Sequence, residues 1–162
     1  MARPPSTTAR LYLPRHGQAG GAEEVESKPA ANTSTGAGRA LLLVEDETGV
    51  REAIAEGLRD QGYRVLEAGD GPAALRILHG GRGFRVDALV TDVGLPRGLN
   101  GRQVADAARE CRPGLPVLFI TGYAGTALEE CLAPGMAVIG KPFTLDTLAA
   151  KIWSMLEAVS AT

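Results

Sequence analysis

The segment Val86-Asp-Ala-Leu-Val-Thr-Asp-Val93 decides the fold of this chain. Its centre is apolar, and the carboxylate of Asp92 stands close to its carboxyl end. A short apolar run bounded by polar residues is typical of a strand that is covered on both faces of a parallel sheet. The segment therefore predicts a buried strand that ends in an acidic residue.

Segments of the same kind lie before and after it and alternate with helical patterns. Four further strands are predicted at Ala40–Val44, Tyr63–Glu67, Pro116–Thr121 and Ala137–Gly140. Helices are predicted at Glu47–Gln61, Pro72–Leu78, Gly101–Cys111, Gly122–Leu132 and Thr144–Val159. Five short strands that alternate with five helices indicate an α/β fold, in which helices cover both faces of a parallel sheet.

The composition excludes several classes of protein. The 162 residues carry 17 Lys and Arg against 19 Asp and Glu, so there is no overall basic field that would hold nucleic acid. The longest apolar runs, Ala40–Val44 and Val117–Ile120, are too short to cross a bilayer, and Met1–Arg10 has no apolar stretch of a secretory signal. Because these runs are short, no membrane contact by this fragment is expected. Cys111 and Cys131 match no metal or redox spacing and are interpreted as free thiols, which predicts a cytoplasmic protein.

The amino-terminal part differs from the rest of the chain. Up to Arg39 large aliphatic side chains are rare, and Gly, Ala, Ser, Thr, Glu and Pro predominate from residue 17 onwards. Such a composition cannot bury enough apolar surface to offset the entropy of ordering. We therefore predict a flexible linker at residues 16–38 and one domain at residues 39–159. Within residues 1–15, the alternation of polar and apolar residues over Thr7–Leu13 suits one short strand, which should not be stable without a partner strand.

Polar side chains follow four of the five predicted strands. Glu45 and Asp46 follow the first strand, Asp92 ends the third, Thr121 ends the fourth and Lys141 follows the fifth. Because the carboxyl ends of parallel strands share one edge of a sheet, and ligands bind at that edge, we expect these five side chains to converge.

The chemistry of this set points to phosphoryl transfer. Three neighbouring carboxylates repel one another and need a cation, and a hard divalent ion such as Mg²⁺ suits oxygen ligands. A lysine and a hydroxyl could then bind phosphoryl oxygens. Since Ser, Cys and His do not occur at the strand ends, the nucleophile is predicted to be a carboxylate, which would form an acyl phosphate.

Four motifs resemble those of the response regulator receiver domain over residues 39–158. They are Leu41-Leu-Leu-Val-Glu-Asp-Glu47, Val90-Thr-Asp-Val-Gly-Leu-Pro96, Leu118-Phe-Ile-Thr-Gly122 and Lys141-Pro-Phe143. The resemblance implies a flavodoxin-like, doubly wound sheet of five parallel strands in the order 2-1-3-4-5. It also implies a signalling switch that accepts a phosphoryl group from a phosphohistidine, without being an enzyme in its own right beyond its own phosphorylation and dephosphorylation.

The resemblance also implies a role for each residue of the set. Asp92 corresponds to the phosphoacceptor, Thr121 to the hydroxyl that moves onto the phosphoryl group, and Lys141 to the lysine that pairs with it, followed by a cis bond to Pro142. The implied ligands of Mg²⁺ are Glu45, Asp46, Asp92 and the carbonyl group of Gly94.

The leader carries a second resemblance. Ser6-Thr-Thr-Ala-Arg-Leu-Tyr-Leu-Pro-Arg15 is similar to the last strand of a histidine kinase ATP-binding domain. This implies the carboxyl-terminal receiver of a hybrid sensor histidine kinase. The expected partner is the phosphohistidine domain of such a kinase or of a phosphotransfer protein, and the expected state is a monomer or weak dimer.

Two other functions fit a parallel sheet with an acidic edge. An Mg²⁺-dependent phosphatase with a carboxylate nucleophile would carry its nucleophile and its acid two residues apart after the first strand. Here Glu45 and Asp46 are adjacent, and the candidate nucleophile Asp92 belongs to the third strand. A flavodoxin-like cofactor binder would need a cradle rich in Gly, Ser and Thr for its phosphate, where this chain has three carboxylates.

Overall fold

A computed structural model describes residues 36, 38–80, 85–96, 98–122 and 132–160 of the chain. These ranges contain five strands and four helices, which alternate as far as the fourth strand. The strands are β1 (Ala40–Val44), β2 (Arg64–Ala68), β3 (Ala88–Asp92), β4 (Val117–Thr121) and β5 (Met136–Gly140). The helices are α1 (Thr48–Asp60), α2 (Gly71–His79), α3 (Gly101–Cys111) and α4 (Leu145–Ser160).

All five strands are parallel and lie in the order β2-β1-β3-β4-β5, which confirms the predicted fold class. The order reverses between β1 and β3, where β1 pairs with β2 on one side and with β3 on the other. In doubly wound sheets a crevice opens at this point, outside the carboxyl ends of the strands. The topology therefore places the ends of β1 and β3 side by side at the natural binding edge.

The predicted bounds agree with the structure to within about two residues at most ends, the usual uncertainty of element boundaries. β3 begins at Ala88 instead of Val86, and the Asp87 carboxylate accepts a hydrogen bond of 2.8 Å from the backbone of Ala40. The predicted helix Gly122–Leu132 falls almost wholly outside the described residues, as does Cys131. Cys111 is a free, exposed thiol, as predicted. Across the described ranges no helix has the length and hydropathy needed to span a membrane.

The core consists of two apolar layers, one on each face of the sheet. Leu41, Leu43 and other side chains of one face pack with those of α1 and α4. Leu42 and Phe119 lie on the opposite face and pack with α2 and α3. Because successive side chains of a strand point to opposite faces, a strand covered on both faces must be apolar throughout, and all five residues of β1 are buried.

Two glycines of the predicted linker contact the turn between α1 and β2. The backbone N–H of Gly36 donates to the carbonyl of Gln61 at 2.9 Å, and that of Gly38 donates to Gly62 at 3.1 Å. A side chain at residue 36 would overlap the backbone of Gly62 and Tyr63, so only glycine fits this approach. The rest of the linker at 16–38 and the predicted strand in residues 1–15 lie outside the described residues.

These contacts predict different melting temperatures for two truncated chains. A chain that starts at Asn32 keeps the hydrogen bonds of Gly36 and Gly38, whereas one that starts at Arg39 loses both. At about 1 kcal/mol for each bond, the shorter chain should melt roughly 5–10 °C lower. Circular dichroism of both chains at one concentration measures the difference. Equal melting temperatures would show that these bonds contribute nothing to stability.

Candidate functional site

Three of the predicted site residues meet at the carboxyl edge of the sheet. Glu45 follows β1 and is 2% exposed, and Asp92 is the last residue of β3. Lys141 follows β5, and its Nζ donates to Asp92 Oδ2 at 2.6 Å and lies 3.4 Å from Glu45 Oε2. One ammonium group therefore bridges two carboxylates that come from different strands.

The second oxygen of Asp92 is also engaged. The backbone N–H of Gly94 donates to Asp92 Oδ1 at 2.6 Å. Both carboxylate oxygens thus have a partner, one from the rigid backbone and the other from a long side chain that is 37% exposed. Of the two contacts, that of Lys141 is the easier to exchange, because it needs only side-chain rotation.

Thr121 and Lys141 are tied together through their backbones. The N–H of Lys141 donates to the carbonyl of Thr121 at 2.7 Å, which continues the pairing of β4 with β5 beyond the end of β5. The Thr121 side chain belongs to a residue that is only 4% exposed. The Lys141–Pro142 peptide bond is cis, as the sequence resemblance implied.

Burial and charge act in opposite directions on the pKa values of Glu45, which is buried, and of Lys141, which is partly exposed. Desolvation raises the pKa of Glu45 above its ordinary value, although the Glu47 N–H and Lys141 oppose this. Desolvation also lowers the pKa of Lys141, but its hydrogen bond to Asp92 and the charges of Asp92 and Glu45 outweigh burial, so that this pKa is raised. Lys141 is therefore held in its charged form, and its charge favours the ionised form of Glu45.

Asp46 does not join the other two carboxylates. It is exposed, and it lines a cavity of about 270 Å³ together with Asp70 and Leu95. Within the part of the chain that the structure describes, no three acidic, His or Cys side chains cluster closely enough to hold a metal ion. The donor chemistry nevertheless fits Mg²⁺, because the carboxylates of Glu45 and Asp92 already share one cation, and the exposed carboxylate of Asp46 directly follows Glu45 in the chain.

Two residues that the sequence analysis did not assign to the site support its backbone. A side chain at Gly101 would overlap the carbonyl of Asp92, so glycine at the start of α3 allows this helix to approach the end of β3. Arg51 of α1 donates to the carbonyl of Glu45 at 2.8 Å. The Asn100–Gln103 capping box marks the helix start in the sequence, but the approach of Gly101 to Asp92 is visible only in three dimensions.

The chain is similar in sequence and in fold to several known proteins. Residues 41–153 match the family model described as response regulator receiver domain. The response regulator receiver protein CpdR of Brucella abortus (strain 2308) is 35% identical over 120 residues, which cover 73% of this chain and 97% of CpdR. The crystal structure of the receiver domain from the hybrid histidine kinase CckA superposes with a TM-score of 0.61 at 37% identity, over 72% of this chain and 98% of that domain.

A longer relative extends the similarity towards the amino terminus. The sensor kinase CckA of Brucella abortus (strain 2308) is 35% identical over an alignment of 159 positions that covers 93% of this chain. The aligned region is only 16% of the length of that kinase. The similarity therefore concerns one part of a much larger protein.

Proposed function

The chain belongs to the response regulator receiver domain family of two-component signalling, and on that premise we propose that it accepts a phosphoryl group from a phosphohistidine onto Asp92. The observation that supports this most directly is the Lys141 ammonium, which contacts Asp92 Oδ2 at 2.6 Å and also lies close to Glu45. A nucleophilic carboxylate that already carries a mobile cation has the partner that an incoming phosphoryl group needs.

In the proposed reaction the two carboxylate oxygens of Asp92 have different tasks. Oδ1 stays on the N–H of Gly94, which fixes the orientation of the carboxylate. Oδ2 attacks the phosphorus atom when Lys141 moves from it to the phosphoryl oxygens, where it forms charge-assisted hydrogen bonds. The P–N bond of the phosphohistidine breaks, its electron pair returns to the imidazole ring, and Asp92 becomes an acyl phosphate. The Thr121 hydroxyl then donates to a phosphoryl oxygen.

The proposed reaction depends on Mg²⁺. Its ligands would be Glu45, Asp46, Asp92 and the carbonyl group of Gly94. When bound, the ion neutralises negative charge on the phosphoryl oxygens and on the carboxylates. Glu45 contributes a carboxylate whose burial makes a nearby cation favourable.

We also propose that the chain is part of a hybrid sensor histidine kinase in the cytoplasm. The similarity to the CckA sensor kinase covers 93% of this chain and so includes residues before the receiver domain, which supports the proposal. The phosphodonor would then be a phosphohistidine domain of that kinase or of a phosphotransfer protein. The receiver would act as a monomer or weak dimer.

The test uses acetyl phosphate as a small phosphodonor and reads the intact mass of the protein. With Mg²⁺ the wild-type chain should gain one phosphoryl group, and hydroxylamine should remove it because it cleaves acyl phosphates. Chelation of Mg²⁺ should lower the initial rate by at least about 100-fold, since charge neutralisation supplies several kcal/mol. A chain that is not labelled, or a label that resists hydroxylamine, would contradict the proposed function.

A further inference from the structure

Arg51 holds the turn that carries the acidic pair. Its Nη1 donates to the carbonyl of Glu45 at 2.8 Å and lies 3.5 Å from the carbonyl of Asp46. Its Nη2 donates to the Thr48 hydroxyl at 3.3 Å. Its Nε is paired with Glu67 of β2 at 3.6 Å. All three nitrogens of this guanidinium group thus have partners, and its side chain is only 17% exposed.

The backbone needs this support because β1 has ended. The N–H of Glu45 still donates to Ala68 of β2 at 3.1 Å, as it would in a continued sheet. The carbonyls of Glu45 and Asp46 lie beyond the strand, and α1 begins without a side-chain cap from Glu47. Arg51 fills this gap, since a planar guanidinium group can bind two carbonyls and a carboxylate in fixed directions.

We propose that Arg51 is a positioning residue for Mg²⁺: it fixes the backbone of Glu45 and Asp46, so that the Glu45 carboxylate stays beside Lys141 and the exposed Asp46 carboxylate can reach the ion by rotation of its side chain alone. This inference rests on the proposed function, because it concerns the same site. Residues that orient metal ligands typically change metal affinity 10- to 100-fold when they are removed. Arg51 does not touch the phosphoryl group and acts only through the two carboxylates.

The positive charge of Arg51, taken alone, would have the opposite effect on the affinity for Mg²⁺. A positive group close to a cation site weakens cation binding, so that simple loss of the Arg51 charge would strengthen the binding of Mg²⁺. Loss of positioning, in contrast, weakens the binding of Mg²⁺. The direction in which the Mg²⁺ affinity changes therefore distinguishes a positioning role from an effect of charge. Arg51→Lys provides a second distinction, because it keeps the charge but supplies a single nitrogen.

Arg59 provides a matched control on the same helix. Its Nη2 donates to Glu67 Oε1 at 2.7 Å and to the carbonyl of Val65 at 2.9 Å. It shares Glu67 with Arg51 but makes its contacts on β2, away from Glu45 and Asp46. Arg59→Met thus removes an arginine from the same carboxylate and leaves the acidic turn intact.

The experiment is calorimetric titration of the full chain with MgCl₂, with folding of each variant checked by circular dichroism. We expect Arg51→Met to raise the Kd about tenfold and Arg51→Lys to raise it at least about threefold, with Arg59→Met within about twofold of the wild type. At saturating Mg²⁺ the rate of labelling by acetyl phosphate should return to within about twofold of the wild type for both Arg51 variants.

Other outcomes would contradict either the positioning role or the proposed function. If Arg51→Met binds Mg²⁺ as well as or better than the wild type, or if Arg59→Met weakens binding equally, the positioning role is wrong. If Arg51→Met does not fold, the affinity of Arg51→Lys decides in the same way. A wild-type chain that binds no Mg²⁺ would contradict the proposed function itself, whereas wild-type binding with unchanged Arg51 variants contradicts this inference alone.

Discussion

Asp92→Asn should abolish phosphorylation by acetyl phosphate while the protein stays folded. The amide has nearly the same shape as the carboxylate, but it lacks the negative oxygen that attacks phosphorus, and no acyl phosphate forms. The contact of Lys141 with the changed side chain is weaker, and the repulsion that Asp92 exerts on Glu45 disappears. The mass spectrum of the variant should show no added phosphoryl group under conditions that label the wild type fully.

Asp70→Asn is the matched control for this experiment. Asp70 lies at the same edge of the sheet, where its carboxylate caps α2 by accepting the N–H of Ala73 at 2.7 Å. Because Asn caps helices about as well as Asp, the variant should fold and accept the phosphoryl group at nearly the wild-type rate. If Asp92→Asn gains one phosphoryl group as the wild type does, or if Asp70→Asn loses labelling, Asp92 is not the acceptor.

The three residues that meet at the site could be predicted from the sequence because they stand at the carboxyl ends of strands. Once the apolar runs are assigned to parallel strands, Glu45, Asp92 and Lys141 must come to one edge, whatever the loops do. The structure brings these three into contact. The position of Asp46 did not follow in the same way, since its side chain lies beyond the strand, where the turn decides its direction.

The residues that support the backbone of the site were harder to predict from the sequence, for a physical reason. The contact between Arg51 and Glu45 depends on the angle at which α1 leaves β1, and that of Gly101 with Asp92 depends on the distance between α3 and β3. Hydrophobic periodicity gives the buried face of a helix but not these distances. A polar residue on an amphipathic helix is expected to face solvent, and Arg51 departs from this rule.

Lys141→Met should destabilise the protein at neutral pH and slow its phosphorylation. The substitution leaves the carboxylates of Glu45 and Asp92 close together without their shared cation. Breaking a buried pair costs several kcal/mol, but the Lys141 side chain is 37% exposed and solvent screens the charges, so we expect a loss of about 1–2 kcal/mol at pH 7.5. Labelling should slow by roughly 10- to 100-fold, because a charge-assisted hydrogen bond to the phosphoryl oxygens is missing.

The pH dependence of this loss has a definite sign. The raised pKa of Lys141 means that its stabilising charge is present below its ordinary pKa and is lost as the pH rises through the raised value. At the acidic end, Glu45 has a raised pKa, which rises further without Lys141, so the carboxylate in the variant takes up a proton at a higher pH than in the wild type. A neutral carboxyl group does not need the ammonium, and the difference in unfolding free energy between wild type and variant should shrink as the pH falls from 7.5 to 5.

Urea unfolding at several pH values measures this difference, and Lys151→Met, which removes a lysine from α4, is the control. Mg²⁺ should stabilise Lys141→Met more than the wild type, because the divalent ion no longer competes with the ammonium for Asp92 and Glu45. A variant with wild-type stability at pH 7.5, or with a loss that grows towards pH 5, would show that Lys141 does not neutralise the carboxylates. Equal stabilisation of both proteins by Mg²⁺ would show that the ion and the Lys141 ammonium do not compete for these carboxylates.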